Sequence, residues 1–436
     1  MNARLHARVT SASEAIQHIK SGSRVVLEGS LSEPISLIEA MIDQKDRFQG
    51  LEIITASPMR GQKLADEEMA GHFRLGTFFA RGGIGKAIRQ GRADYFPTSL
   101  WGMTRAMEEK IIPVDVAMIQ VSPPDASGYC SFGINVSYIK AAAENAKTVI
   151  AEVNDQMPRT FGDASITIAK IDHICEVSRP LPVLDPPDSA EEENRIADAV
   201  AELIPSGATI EAGIGAIPNA ILGALKKRED LGLHSGMISD AMMEQIENGI
   251  ITNRKKPFDL GRSVASMAMG SKKLYDWIHE NPRVGMHPST YTHSIATIAQ
   301  IDNFIAINSG LQVDLTGQVN AEMLDGVIVS GVGGGVSFAQ GACASKGGFS
   351  IIALPSTAEE GRVSRIVPFL SEGTPVTYHR SDVDFVVTEY GIADLRCRSL
   401  EERGSKLIQI AHPDFRDELA DHMRRFRTKL AESPIR

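Results

Sequence analysis

One pattern occurs twice in this chain, and that recurrence constrains the fold more than any other feature. "EAIQHIKSGSRVVLEGSLSEPISLIEAM" begins at Glu14, and "ADAVAELIPSGATIEAGIGAIPNAILGAL" begins at Ala197. With one gap in the strand, Gly29 aligns with Gly213, Pro34 with Pro218 and Ala40 with Ala224. Each copy reads as a helix, a Ser-Gly turn, a strand, a glycine-containing loop and a helix with proline in its first turn. Such a repeat predicts two halves of similar build. Further β-branched runs, "LEIITAS", "VDVAMIQVS" and "KTVIAEV", read as strands, and "NRIADAVAELI" reads as a helix. Their alternation predicts an α/β protein with parallel sheets covered by helices. The proline-rich and then charged stretch "RPLPVLDPPDSAEEE" is the best linker. The expected domains are therefore 1–182 and 194–436, joined by 183–193.

The length of 436 residues suits two cores better than one. A formal net charge of −10 argues against nucleic-acid and anionic-membrane partners, since both attract a basic face. No apolar run is long enough for a secretory signal or a membrane span, so a cytoplasmic protein is expected. The four cysteines form no CxxC pair and the histidines no HExxH pattern, so no metal site is expected.

Two glycine-rich segments carry candidate chemistry. In "EAGIGAIPNAI", Gly213 and Gly215 leave the backbone bare between a strand and a helix N-terminus. A phosphate can approach such a loop, and the same run also serves as a tight strand-to-helix turn. In "VIVSGVGGGVSFAQGA" four glycines fall between Gly331 and Gly335, and glycine costs conformational entropy on folding. Successive amides there can form an anion nest or an oxyanion hole; a plain flexible loop is the alternative. Upstream, Asn308, Gln312, Gln318 and Asn320 suit polar ligand recognition beyond a strand end. The basic run "NRKKPFDLGR" suits either phosphate contact or a solvated loop.

Taken in order, "GIGAIPNA", "HSGMISD", "NSGLQVDLTGQVNAE", "SGVGGGVSF", "TEYGIADLR" and "AHPDFR" resemble the family I coenzyme A transferases. The likeness is to the acetyl-CoA hydrolase/transferase and 4-hydroxybutyrate CoA-transferase branch. "GSLSEPISLIEAM" and "PPDASGYCSFG" extend it to the N-terminal half. The resemblance implies two open α/β domains facing each other across an acyl-CoA cleft. It implies CoA as co-substrate with no permanently bound cofactor, small carboxylic acids as partners, and a homo-oligomer. In that family a glutamate attacks the acyl-CoA thioester, and the enzyme passes through an acyl-glutamyl anhydride and a glutamyl-CoA thioester. Gly213, Ile214, Gly215, Ala216 and Ile217 match its CoA loop. Gly333 and Gly334 match its oxyanion glycines, and Asn308 and Gly310 accompany them.

The chain departs from the family where the chemistry sits. The nucleophilic glutamate belongs at the position of Gly236, within "HSGM". The family's GGQ-x-D-F appears as Gly333-Gly334-Gly335-Val336-Ser337-Phe338, without glutamine or aspartate. Three readings follow. Another carboxylate replaces the missing one, and Glu28, Glu33, Glu67 and Glu68 are the candidates by position relative to the first repeat. Alternatively, water attacks, with His234 or Asp240 as base, and the protein is a hydrolase. In the third reading the fold binds acyl-CoA without turnover.

Overall fold

The computed structural model describes residues 9–185 and 189–432, excepting the side chains of 426–432. Two sheets organise it. The first has seven strands in the spatial order His173–Val177, Thr148–Asn154, Val116–Val121, Arg24–Leu27, Leu51–Thr55, Phe73–Thr77 and Ala93–Tyr95, all parallel. The second runs Gly232–Leu233, Thr209–Ala212, Phe304–Asn308, Phe349–Ala353, Phe385–Thr388 and Gly391–Asp394; only its last pair is antiparallel. Val116–Val121 is buried at every residue, as expected of a central strand covered on both faces.

The repeat is real in three dimensions. Arg24–Leu27 and Thr209–Ala212 each pair with the next strand of their sheet on one side. On the other side each pairs with the strand that begins the run toward the opposite edge. Each is followed by its proline-marked helix, Ile35–Asp43 and Ala216–Ala224. The helix expected from "EAIQHIK" is shorter than anticipated, one α-turn at Ala12–Ala15 followed by a 3-10 turn.

The helix Glu191–Leu203 takes in the last three residues of the expected linker, and residues 186–188 lie outside the described ones. The two halves also share a core. One contiguous cluster of buried side chains runs from Val26 and Ile119 to Ile210, Ile307 and Val387. Among the described residues no helix is long and apolar enough to cross a membrane.

Candidate active site

A cavity of about 480 Å³ opens on the seam between the halves, beyond the C-terminal ends of Arg24–Leu27, Thr209–Ala212 and Phe304–Asn308. This is where an open parallel sheet places its ligands. The first half contributes Ser30 and Ser57, both non-glycine residues in the left-handed region (φ 61° and 50°). Such conformations persist only where the surroundings impose them. The second half contributes the strand end Glu211–Ala212 and the loop beyond it, Gly213 and Ile214. Nothing lies within 4 Å of a Cβ built on Gly213, and Gly215 has φ 123°, so that loop offers open backbone at a helix start.

The glycine run Gly331–Gly335 does two things. Gly331 presses on the first half: a Cβ there meets the Phe78 carbonyl oxygen at 2.4 Å and the Phe79 Cα at 2.8 Å. Gly333, with φ 61°, accepts a hydrogen bond from the Leu100 amide at 2.9 Å. Gly334 then caps the helix Gly335–Ala344, whose N-terminus borders the cavity. Part of the glycine content is thus explained by docking, and the remainder lines the cavity as an anion-favouring helix start.

The space beside Gly236 is partly taken. A Cβ built there meets His293 Nε2 at 3.0 Å and Phe338 Cε2 at 3.4 Å. A Cβ on Gly334 meets the same Nε2 at 2.3 Å, so one imidazole lies against both glycines. Burial and the neighbouring His234 push the His293 pKa down to about 3, which keeps the ring neutral. Its Nδ1 lies 2.7 Å from the Thr292 hydroxyl, which has a poorer alternative acceptor in the Pro288 carbonyl at 3.4 Å. Giving the hydroxyl proton to the nearer acceptor leaves the ring proton on Nε2, facing the two glycines.

The room left by Gly335 is taken in the same way. A Cβ there meets the Tyr378 hydroxyl at 1.9 Å and Asn308 Oδ1 at 2.6 Å. Asn308 Nδ2 in turn donates to Glu211 Oε2 at 3.0 Å. Glu211 is the sole carboxylate among the described residues that line the cavity. It is 4% exposed, and burial pushes its pKa up to about 8 against the hydrogen bonds from Asn308 and the Ile307 backbone. No ion pair holds it among the described residues. Two cations share the cavity, Arg81 and Arg365, and Arg365 donates to the Thr357 and Gly310 carbonyls. Arg81 and Ser30 also line a neighbouring cavity of about 490 Å³ that holds Arg60, Lys63 and Glu33.

Of the residues expected from sequence, Gly236, Gly333, Gly334, Gly213, Ile214, Asn308 and Gly310 line the main cavity, whereas Gly215, Ala216 and Ile217 do not. None of the four candidate replacement carboxylates does either. Glu28 is fully buried and accepts from the Gln120 amide at 2.7 Å; burial holds its pKa well above the carboxylate range. Glu33 accepts from the Met59, Arg60 and Gly61 amides and so fixes that loop. Glu67 and Glu68 sit exposed on the 3-10 turn Glu67–Met69.

Both candidate bases are engaged elsewhere. His234, fully buried, donates from Nε2 to the Thr292 carbonyl at 2.9 Å and so steadies the turn that carries His293. Asp240 accepts from the Ser271 amide and hydroxyl. Gln318 and Asn320 bond within their own loop, to Asp314, Gln312 and Met323. In the basic run, Lys256 is buried and donates to the Leu233 and Arg262 carbonyls. Glu211, His293 and Tyr378 are not among the sequence candidates. For Glu211 a signal exists, a charged residue inside the apolar strand "ATIEA" directly before the glycine loop.

Comparison with known proteins finds relatives along nearly the whole chain. The model of the acetyl-CoA hydrolase/transferase N-terminal domain matches residues 2–185, and that of the C-terminal domain matches 270–423. The chain is 46% identical to a 4-hydroxybutyrate coenzyme A transferase of Clostridium kluyveri, over 96% of this chain and 97% of that one. It is 37% identical to a succinyl-CoA:cyclohexane-1-carboxylate CoA transferase of Geobacter metallireducens, over 96% and 95%. Among solved structures, RipA from Yersinia pestis superposes with a TM-score of 0.93 at 35% identity, covering 98% of this chain and all of that one. A 4-hydroxybutyrate CoA-transferase from Porphyromonas gingivalis gives 0.83 at 37% identity, over 97% and 98%.

Proposed function

Because the chain belongs to the acetyl-CoA hydrolase/transferase family, in which coenzyme A is the co-substrate, we propose that it transfers CoA between an acyl-CoA and a small carboxylic acid. One observation carries the proposal. A single cavity brings together the open CoA-type loop, a glycine-lined helix start, two arginines and one carboxylate. Arginine is suited to carboxylate and phosphate recognition, and the mostly apolar walls suit a short acyl chain. The relatives' own substrates, 4-hydroxybutyrate and cyclohexane-1-carboxylate, mark the size range to try. The division near 183–193, the oxyanion role of Gly333 and Gly334, a cytoplasmic setting and a homo-oligomer belong to the same reading.

The test is mass spectrometry of all CoA species after incubation with acetyl-, butyryl-, succinyl- or 4-hydroxybutyryl-CoA, each with and without an unlike carboxylate. A new acyl-CoA formed only with the acceptor supports transfer. Free CoA released regardless of acceptor supports hydrolysis instead, and survival of every thioester removes the enzymatic reading.

A further inference from the structure

We propose that the nucleophilic carboxylate of this enzyme is Glu211, moved from the position of Gly236 to the end of the adjoining strand. The inference rests on the transfer reading above and names the group that performs it. Three observations support it. Among the described residues, Glu211 is the sole acid lining the cavity. It stands two residues before Gly213 of the open loop, and both line the same cavity. Asn308 links it to the glycine run, because its Nδ2 holds Glu211 while its Oδ1 lies against Gly335. The position of Gly236, by contrast, carries no side chain, and a Cβ there would press on His293 at 3.0 Å.

Each step conserves atoms and charge. Ionised Glu211 attacks the thioester carbonyl carbon; a C–O bond forms, the C–S bond breaks, and CoA leaves as thiolate. The thiolate attacks the glutamyl carbonyl of the anhydride, forming a glutamyl-CoA thioester and releasing the first carboxylate. The incoming carboxylate attacks that thioester and again expels thiolate, which then takes the new acyl group from the anhydride and frees Glu211. No oxidant or net proton is needed. A desolvated carboxylate is a strong nucleophile once ionised, so the half-reaction accelerates as pH approaches about 8, the value to which burial raises this group.

The experiment uses the full chain with butyryl-CoA and no acceptor, followed by hydroxylamine or borohydride and peptide mapping. The expected result is a modified peptide carrying the change at Glu211. Glu211→Gln is expected to show no adduct and a kcat lower by roughly 10³-fold or more. Glu211→Asp, which keeps the carboxylate, is expected to retain a measurable adduct, and circular dichroism checks the fold of both variants. Modification at another residue, or transfer by Glu211→Gln at the wild-type rate, overturns this inference and leaves the transfer reading standing. If no adduct forms and no acyl-CoA is turned over, both fall.

Discussion

At position 236 the backbone lies outside the left-handed region, so nothing in the main chain forbids a glutamate there. The constraint is the neighbour, since a Cβ would stand 3.0 Å from His293 Nε2 and 3.3 Å from its Cε1, so the ring must give by a few tenths of an ångström. Gly236→Glu alone is therefore expected to destabilise the protein by about 1–3 kcal/mol through overpacking. Adding His293→Ala removes the obstacle, and the pair should show a favourable coupling of about 1 kcal/mol or more in a double-mutant cycle followed by chemical denaturation. Additive losses would mean that His293 does not hold that space. The sequence shows the glycine at 236, because a side chain that is not there is visible as a letter. It does not show the neighbour, because His293 lies far along the chain and reaches Gly236 only through the fold. Tyr378 at Gly335 is the same case.

A strand such as Thr209–Ala212 is legible from its β-branched residues, its flanking Ser-Gly turn and its repeat partner, and it forms where expected. The parallel architecture follows from the alternation of strands and helices, whereas the order of the strands in each sheet does not. The C-terminal "VTEYGIADLR" is less legible: it reads as one strand and a turn but folds as a hairpin, Phe385–Thr388 against Gly391–Asp394. The sequence likewise does not show what it costs this strand to bury Glu211 without a cation. The folded protein holds that carboxyl at a pKa of about 8, against about 4.3 for a free glutamate. Between those values the folded state binds more protons than the unfolded state, so stability falls as pH rises through the interval and levels off above it. Glu211→Gln removes this dependence. Its stability relative to the parent should increase from pH 4.5 to 8, by at most about 5 kcal/mol. Thermal or urea melts across that range measure it, and a pH-independent difference would place Glu211 in a wetter environment.

The molecule as a whole is held together at the same seam that forms the cavity. The Ala80 amide donates to the Ser330 carbonyl at 3.0 Å, and the Leu100 amide to that of Gly333, so the first half grips the glycine run through its backbone. A Tyr95 hydroxyl bond to Glu322 reinforces the contact. The composition of this loop suggested chemistry, and only the packing reveals that Gly331 is needed for close approach. Gly331→Ala tests that role directly. Its φ permits alanine, but the new Cβ would lie 2.4 Å from a carbonyl oxygen and 2.8 Å from a Cα, both main-chain atoms that cannot rotate away. The halves must separate slightly, which should cost about 1–3 kcal/mol. The same displacement moves Gly333–Gly335 relative to Ser30 and Ser57, which face the cavity from the first half. Transfer activity should therefore fall more steeply than stability, because catalysis tolerates misplacement of about 1 Å poorly. Gly326→Ala serves as the control: it too lies in this segment, but nothing stands within 4 Å of its Cβ, and its φ of 74° confines the penalty to backbone strain. If Gly331→Ala loses no more activity than this control at equal loss of stability, the glycine is not what aligns the two halves across the cavity.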